Sequence, residues 1–300
     1  MAKLLVQRTF LAALVFAAAC LIPSAHLQAE EKIGIDYGTF EFAPDSSRPQ
    51  TKLKVWTFRP AGLNPDSPIV IVMHGVGRNA KGYRDAWAPH GREGGFLVVV
   101  PEFSEAMYST EAYQQGNLRD RAGRPNPPER WTFTLVEKLF DQVKTITGSK
   151  VERYHLFGHS GGGQFVQRFV LFMPGARYAR AIAANPGYYT IPATDAAYPH
   201  GLKGTPLAGG MNPAVFARDF LLLLGEADTR RDSDLRKTPQ ADAQGLTRLE
   251  RGRNYFKAAK QSAEAAHAPF NWRLLTVPGV GHSDAKMAPA AVRELFVRPK

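Results

Sequence analysis

Six continuous apolar runs recur along the chain and predict the buried strands of a parallel sheet. Their residue ranges are 68–75, 96–103, 154–158, 180–186, 220–228 and 272–279. Strands that are apolar at nearly every position are typical of a sheet covered on both faces. Residues 34–61 instead alternate between apolar and polar positions, which predicts two further strands joined by the turn APDSSRP.

Helical periodicity fills the intervals between these runs. Residues 131–147 place apolar side chains at three- and four-residue spacing, and residues 164–173 and 247–267 predict two more helices. Alternating strands and helices indicate an α/β fold with a mostly parallel sheet and helices on both faces. Residues 104–130 and 188–213 follow strand ends, so we expect these loops to line a site. They are too short to form a cap domain.

The first 29 residues have the pattern of a secretory signal peptide. Lys3 and Arg8 precede an apolar run over residues 10–22, which is too short to span a bilayer, and AHLQA precedes Glu30. We predict cleavage after Ala29, which leaves residues 30–300 as one catalytic domain in the periplasm or outside the cell. An uncleaved anchor and a lipoprotein acylated at Cys20 are the alternatives, although the apolar residues after Cys20 argue against acylation.

The chain is basic, with a formal net charge of +11. Removal of Lys3 and Arg8 leaves 11 − 2 = +9 on the mature protein. Basic proteins attract polyanions, but the sequence has no helix-turn-helix pattern, RNA-binding signature or lysine tract, so nucleic acid is not the expected partner. An anionic substrate and the cell envelope both remain open. Cys20 is the only cysteine, so we expect a mature chain without disulfides.

The tripeptide GHS occurs twice, and its first copy lies in the pentapeptide Gly158–Gly162, which matches G-x-S-x-G. An apolar strand enters this pentapeptide and an amphipathic helix leaves it, which is the strand–turn–helix context that the motif needs. Ser160 is therefore predicted to be a nucleophile. A serine hydroxyl needs an adjacent base to remove its proton.

The second GHS supplies that base, because His282 follows the last apolar run. Asp228 is the last residue of the preceding run, so the chain order is serine, acid, histidine, as the motif requires. His282 would act as general base and then general acid, while Asp228 would fix its tautomer and stabilise the imidazolium. Three nearby acids are alternatives to Asp228: Glu226, Asp232 and Asp234.

Two backbone N–H groups are predicted to form an oxyanion hole. One belongs to Gly161, directly after the nucleophile, and the other to Val76, or alternatively Gly77, in the loop after the third strand. We expect His74 to shape that loop and His159 to pack beside the nucleophile turn. The sequence has no HExxH or Cys/His ligand spacing, so we expect no catalytic metal and no cofactor.

Five segments together resemble the α/β-hydrolase superfamily: MHGVGRNAKGYRDAW, PEF, GHSGGG, LLLLGEADT and GVGHS. The resemblance is nearest to the secreted esterase and polyhydroxybutyrate depolymerase-like branch, and it covers the chain from about residue 36 onward. It implies the α/β-hydrolase fold, with an eight-stranded type of sheet, and hydrolysis of esters or related acyl bonds. Membership of this superfamily does not fix the substrate.

We therefore predict a serine hydrolase that cleaves carboxylic esters through an acyl-enzyme on Ser160, with a polyester such as polyhydroxybutyrate as one candidate substrate. Three alternatives remain open. The basic charge suggests an amide or peptide hydrolase acting on an anionic polymer such as poly(aspartic acid). The same triad also permits acyl transfer to an acceptor other than water, and the fold alone permits a non-catalytic binding protein.

Basic and aromatic side chains near the predicted site are candidates for substrate binding. Arg230 and Arg231 follow Asp228 and could clamp an anion, because guanidinium groups suit carboxylates. Three arginines of the first site loop would support such a clamp: Arg119, Arg121 and Arg124. The alternative is that these arginines lie on solvated loops.

Tyr113 is the tyrosine that we select as a substrate contact. Tyr108, Tyr188 and Tyr189 could join it along an acyl or polymer groove. The alternative is that all four aromatic rings only pack the loops onto the protein.

Overall fold

The computed structural model describes residues 32–44 and 52–297. The predicted signal peptide, residues 1–29, lies outside the described residues, as does most of the APDSSRP turn. No helix within the described part of the chain is long and apolar enough to cross a membrane.

A sheet of eight strands forms the centre of the fold. The strands are β1 (Asp36–Phe42), β2 (Leu53–Arg59), β3 (Ile69–Met73), β4 (Leu97–Glu102), β5 (Tyr154–His159), β6 (Tyr178–Ala184), β7 (Phe220–Gly225) and β8 (Arg273–Val277). Their order in the sheet is β1-β2-β4-β3-β5-β6-β7-β8. The pairs β1–β2 and β2–β4 are antiparallel, and all other neighbours in this sheet are parallel. The prediction of a mostly parallel sheet is confirmed.

Seven α-helices accompany the sheet within the described residues. They are α1 (Ala80–Gly94), α2 (Thr110–Gln114), α3 (Thr134–Thr147), α4 (Gly161–Phe172), α5 (Pro239–Asp242), α6 (Arg248–Ala265) and α7 (Asp284–Phe296). Short 3₁₀ turns also occur at Pro128–Arg130 and Pro213–Ala217. Within the described residues, the loops over the site carry only the short helices α2 and α5 and these turns, so this part of the chain adds no large cap to the sheet.

Alternate side chains of each central strand enter two separate cores, because successive residues of a strand point to opposite faces. In β3, Ile69 and Ile71 pack into the core formed with α3, α4 and α6. Val70 and Val72 pack into the opposite core, formed with α1 and α7. All five side chains of β3 are buried, which explains why the strand reads as a continuous apolar run.

Helices α1 and α7 were not predicted from the sequence. Each contains an internal proline, Pro89 in α1 and Pro289 in α7. Proline removes one backbone donor and usually ends a helix, so a helical pattern that contains one is harder to recognise. Both helices nevertheless continue through the proline, with Trp87 and Met287 fully buried in their shared core.

Candidate active site

A strained turn carries Ser160 between β5 and α4. The backbone of Ser160 has φ 56° and ψ −115°, a conformation that residues other than glycine rarely adopt. A Cβ atom on Gly158 would lie 2.2 Å from the carbonyl oxygen of Gly162, and one on Gly162 would lie 2.0 Å from that of Met73. The strand and the helix can approach this closely only because both positions are glycine.

The structure brings Ser160, His282 and Asp228 together at the carboxyl ends of β5, β8 and β7. His282 Nε2 lies 2.9 Å from Ser160 Oγ, and His282 Nδ1 lies 2.8 Å from Asp228 Oδ2. The side chain of Asp228 is 1% exposed, and that of His282 is 21% exposed. A proton on Nδ1 that is donated to the carboxylate leaves Nε2 free to accept the serine proton.

The other acids near Asp228 do not contact His282. Glu226 is exposed and accepts a hydrogen bond from Thr276 Oγ1 at 2.7 Å. Asp232 is bound by Arg248, with nitrogen–oxygen distances of 2.7 and 2.8 Å. Of the four acids weighed from the sequence, Asp228 is therefore the one placed to orient His282.

Two backbone N–H groups lie beside the nucleophile turn. A Cβ atom on Gly161 would lie 3.1 Å from the backbone nitrogen of Val76, whereas one on Gly77 would meet no atom within 4 Å. Neither Gly161 N–H nor Val76 N–H has an acceptor among the described residues. Two unpaired donors beside a serine can stabilise an oxyanion, so Val76 fits this position better than Gly77.

Buried polar side chains hold the loop that carries Val76. His74 Nε2 accepts a hydrogen bond from Phe103 N–H at 3.0 Å, so its Nδ1 carries the proton and donates to Gly75 O at 2.9 Å. Burial lowers the pKa of His74 to about 4, which keeps the ring neutral. Arg78 Nη1 donates to Phe103 O at 2.7 Å. His74 thus shapes this loop, as expected.

Tyr113 belongs to this support and does not contact the pocket. Its side chain is 0% exposed, and its hydroxyl donates to His74 O at 2.6 Å. Its ring stacks on Phe103 with a centroid distance of 4.8 Å. The prediction that Tyr113 contacts substrate is wrong, because α2 turns the ring into the core.

His159 packs beside the nucleophile turn, as predicted, and it also contacts His282. The two ring centroids are 4.6 Å apart. His159 Nδ1 lies 3.0 Å from the Tyr83 hydroxyl. Burial, with smaller contributions from His282 and Arg248, lowers the pKa of His159 well below its ordinary value. A neutral ring therefore packs against His282.

Of the two arginines predicted to clamp an anion, Arg231 is engaged by protein acceptors and Arg230 is exposed. Arg231 donates to Asp242 Oδ2 at 3.0 Å and to Leu246 O at 2.7 Å, so nearby acceptors engage its guanidinium group. Arg119 donates to the carbonyl oxygen of Gly204 at 2.9 Å, which ties together the two loops over the site. Arg124 pairs with Asp120, and Arg121 and Arg230 are exposed.

A pocket of about 330 Å³ lies next to Val76 instead. No motif in the sequence marks four of the residues in its walls, which are Gln114, Gln164, Leu235 and Arg236. The Arg236 guanidinium lies 4.9 Å from the ring centroid of Tyr188. Oε1 of Gln164 is buried and has no hydrogen-bond partner among the described residues. Gln164 lies one helical turn after Ser160, so its spacing from the nucleophile is the feature of the sequence that could have placed it near the site.

Only one of the other tyrosines contributes to this pocket. Tyr188 lines it, although the residue is only 2% exposed. Tyr108 and Tyr189 are buried at 5% and 0% exposure, so they pack the loops and form no groove. The described residues also contain no group of three or more His, Cys, Asp and Glu side chains that could hold a metal ion.

The fold and the Ser160–His282–Asp228 arrangement are those of an α/β-hydrolase with a serine nucleophile. No protein-family model and no curated protein matches the chain. Among solved structures, poly(aspartic acid) hydrolase-1 from Sphingomonas sp. KT-1 is 40% identical, with a TM-score of 0.84 over 88% of this chain and 100% of its own. LpqC, a poly(3-hydroxybutyrate) depolymerase from Bordetella parapertussis, is 32% identical, with a TM-score of 0.82 over 89% and 92%.

The fluorophosphonate-binding serine hydrolase FphF from Staphylococcus aureus shares the fold at 13% identity, with a TM-score of 0.56 over 87% of this chain and 98% of its own. The family assignment rests on the first two structures, which are 40% and 32% identical to the chain. The chain belongs to the α/β-hydrolase superfamily and to its depolymerase-like branch, and it is an enzyme of the hydrolase class.

Proposed function

We propose that the protein cleaves carboxylic esters in a polymer, with a polyester such as polyhydroxybutyrate as its substrate class, through an acyl-enzyme on Ser160. One observation carries the proposal: His282 Nε2 is 2.9 Å from Ser160 Oγ while His282 Nδ1 is 2.8 Å from the buried carboxylate of Asp228. Proximity and orientation of this kind turn a weak nucleophile into a reactive one.

In the first half of the reaction, Ser160 Oγ attacks the ester carbonyl carbon as His282 Nε2 takes the hydroxyl proton. The N–H groups of Gly161 and Val76 donate to the oxyanion of the tetrahedral intermediate, a contribution typically worth ~10²–10³ in rate per donor. His282 then gives the proton to the leaving alkoxide, the alcohol departs, and the acyl group remains on Ser160. Asp228 stabilises the imidazolium during both transfers.

In the second half, water replaces the alcohol. His282 removes a proton from the water, whose oxygen attacks the acyl carbon. The tetrahedral intermediate collapses, the carboxylic acid leaves, and Ser160 regains its proton. The described residues place no large cap over the site, which supports a substrate that is long or held on a surface. The similarity to a poly(3-hydroxybutyrate) depolymerase supports the same substrate class.

A second candidate function is amide hydrolysis in an anionic polymer such as poly(aspartic acid). The similarity to poly(aspartic acid) hydrolase-1 supports it. Arg78 and Arg236 also line the pocket without a salt bridge among the described residues. Under this candidate, Arg236→Gln raises KM for poly(aspartic acid) by about tenfold, as expected for loss of one charge-assisted hydrogen bond. Arg231→Gln is the matched control, because Asp242 already engages that guanidinium.

Acid release in a pH-stat held at about pH 8.5 tests the proposed function and separates its two forms, because an amine freed by amide hydrolysis has a pKa of ~8 and does not retain the released proton at that pH. Protein lacking residues 1–29 is offered a soluble hydroxybutyrate oligomer and poly(aspartic acid) side by side. Ser160→Ala is expected to lower turnover by a factor on the order of 10⁶. Serine-dependent release from the ester alone supports the polyester, and release from poly(aspartic acid) supports the amide form. Activity that survives Ser160→Ala would refute both.

The proposal also places the enzyme outside the cytoplasm. The basic, apolar and small-residue pattern of residues 1–29 supports export with cleavage after Ala29. Mass spectrometry of protein recovered from the periplasm and the medium should give an N-terminus at Glu30. An acylated N-terminus at Cys20 would instead identify a lipoprotein.

A further inference from the structure

A buried arginine connects Asp228 to a second carboxylate. Arg248 is the first residue of α6, and its side chain is 1% exposed. Its Nη1 atom lies 3.4 Å from Asp228 Oδ1 and 2.7 Å from Asp232 Oδ2, and its Nη2 atom lies 2.8 Å from Asp232 Oδ1. The guanidinium thus binds Asp232 through both oxygens and Asp228 through one.

The two oxygens of Asp228 consequently have separate partners. Oδ2 accepts the hydrogen bond from His282 Nδ1, and Oδ1 faces Arg248. A carboxylate held at both ends cannot rotate away from the imidazole. Without Asp232, the positive charge of Arg248 would reduce the electrostatic stabilisation that Asp228 gives to the His282 imidazolium. Asp232 offsets that charge, because the arginine hydrogen bonds lower its pKa to about 2 and keep it anionic.

Asp232 also holds the wall of the substrate pocket. Its Oδ1 atom accepts hydrogen bonds from the backbone N–H groups of Asp234 at 3.1 Å and Leu235 at 3.0 Å. Residues 233–236 line the pocket next to Val76. One ion pair therefore touches both the acid behind His282 and the loop that would contact the substrate.

We propose that the Asp232–Arg248 ion pair is a positioning device that orients Asp228, balances its charge for proton transfer by His282, and fixes the pocket wall at residues 233–236 relative to Ser160. This inference rests on the proposed function of Ser160, His282 and Asp228. It assigns no contact with the reacting atoms to Arg248 or Asp232. It predicts that the charge of the pair sets the proton affinity of His282.

Several other groups face His282 or follow it in the chain. Ser160 and Asp228 bond to its ring, neutral His159 packs against it, and Tyr83 lies behind His159. Asp284 follows two residues later, and burial raises its pKa to about 7. Because Asp284 titrates in the same range as a histidine, each variant is also compared in an Asp284→Asn background.

The rate at which a fluorophosphonate labels Ser160, measured against pH, reports the protonation of His282 without a known substrate. At low pH the labelling rate falls as His282 becomes protonated, and this part of the curve is its acid limb. Asp232→Asn leaves the positive charge of Arg248 unbalanced, so the midpoint of the acid limb should move down by about 0.5–1 pH unit. Arg248→Met leaves two facing carboxylates, so the limb should move up by a similar amount. The double variant should return the limb to within about 0.3 unit of the wild type, because the two charges cancel.

Opposite shifts that cancel in the double variant support the inference. A purely structural ion pair would slow labelling in every variant and leave the limb in place, and that result would overturn it. Arg248→Met is left out if it lacks a cooperative unfolding transition, because it is then not folded. Asp232→Asn then tests the inference by itself, and an acid limb at the wild-type pH in that variant refutes the charge balance. Loss of labelling in Ser160→Ala with an unmoved limb in these variants rejects only this inference. Labelling that persists in Ser160→Ala rejects the proposed function itself.

Discussion

Asp284 should make the stability of the protein depend on pH, and replacement by asparagine isolates the effect. Asp284 begins α7, and its Oδ1 atom is buried without a hydrogen-bond donor among the described residues. Burial raises its pKa from 3.8 to about 7. Its position in the first helical turn favours the carboxylate by only ~0.3–1 kcal/mol, which is less than the effect of burial.

The sign follows from proton binding in the two states. Between about pH 4 and pH 7 the folded protein holds a proton on Asp284 that the unfolded chain has released. Because the unfolded state binds fewer protons in this window, the free energy of unfolding decreases as pH rises towards 7. Each pH unit changes it by ~1.4 kcal/mol, so wild type should lose about 2–3 kcal/mol relative to Asp284→Asn between about pH 5 and pH 8.5.

Urea unfolding of wild type and Asp284→Asn at about pH 5 and pH 8.5 measures this difference, since other titrating groups are common to both proteins. Asp66→Asn is the matched control, because Asp66 is exposed and its change should leave the pH dependence as in wild type. A stability difference between wild type and Asp284→Asn that is the same at both pH values would refute the reasoning. It would mean that Asp284 is ionised throughout.

Two further predictions concern the active site. Asp228→Asn should lower kcat by ~10⁴, because His282 then loses the group that fixes its tautomer and balances its charge. Glu226→Gln should change kcat less than about twofold, since Glu226 bonds only to Thr276 among the described side chains. Steady-state kinetics on one ester would show this contrast, and equal losses of kcat would contradict the assignment of Asp228. Tyr113→Phe removes the hydrogen bond to His74 O and should lower stability by ~1–3 kcal/mol. It should lower kcat with KM unchanged, so a raised KM would restore Tyr113 as a substrate contact.

The positions of Ser160, Asp228 and His282 could be predicted from the sequence because the topology of a parallel sheet fixes them. Each residue lies at or just after the end of one of the predicted strands, and parallel strands end at one edge of the sheet. The distances of 2.9 and 2.8 Å to His282 then depend on short connections after β5, β7 and β8. The sequence favoured Asp228 but left Glu226 as an alternative, since both lie in the same turn and only its conformation separates them.

The pocket was less predictable, because it depends on contacts between loops that are far apart in the chain. Tyr113 and Arg231 have residue types that suit substrate binding, and nothing local in the sequence marks one as buried and the other as paired with Asp242. Gln114 and Arg236 reach the pocket from loops that the sequence separates by more than 100 residues. Their proximity is a property of the tertiary structure alone.

Buried arginines explain part of the basic composition. In the loops around the site, their side chains donate hydrogen bonds to backbone carbonyl oxygens, as backbone N–H groups do in helices and strands. Arg168 donates to the carbonyl oxygen of Gln114, at the end of α2, at 3.0 Å and to Thr190 Oγ1 at 2.9 Å. Arg251 donates to the carbonyl oxygens of Gly187 and Arg236 at 2.7 and 2.9 Å. Both arginines are 0% exposed. A guanidinium offers five donors in a rigid fork and stays charged when buried, so one side chain can satisfy several loop carbonyls that no helix or strand would pair. The net charge therefore overstates the attraction of the surface for polyanions, and evidence for an anionic substrate has to come from the pocket arginines instead.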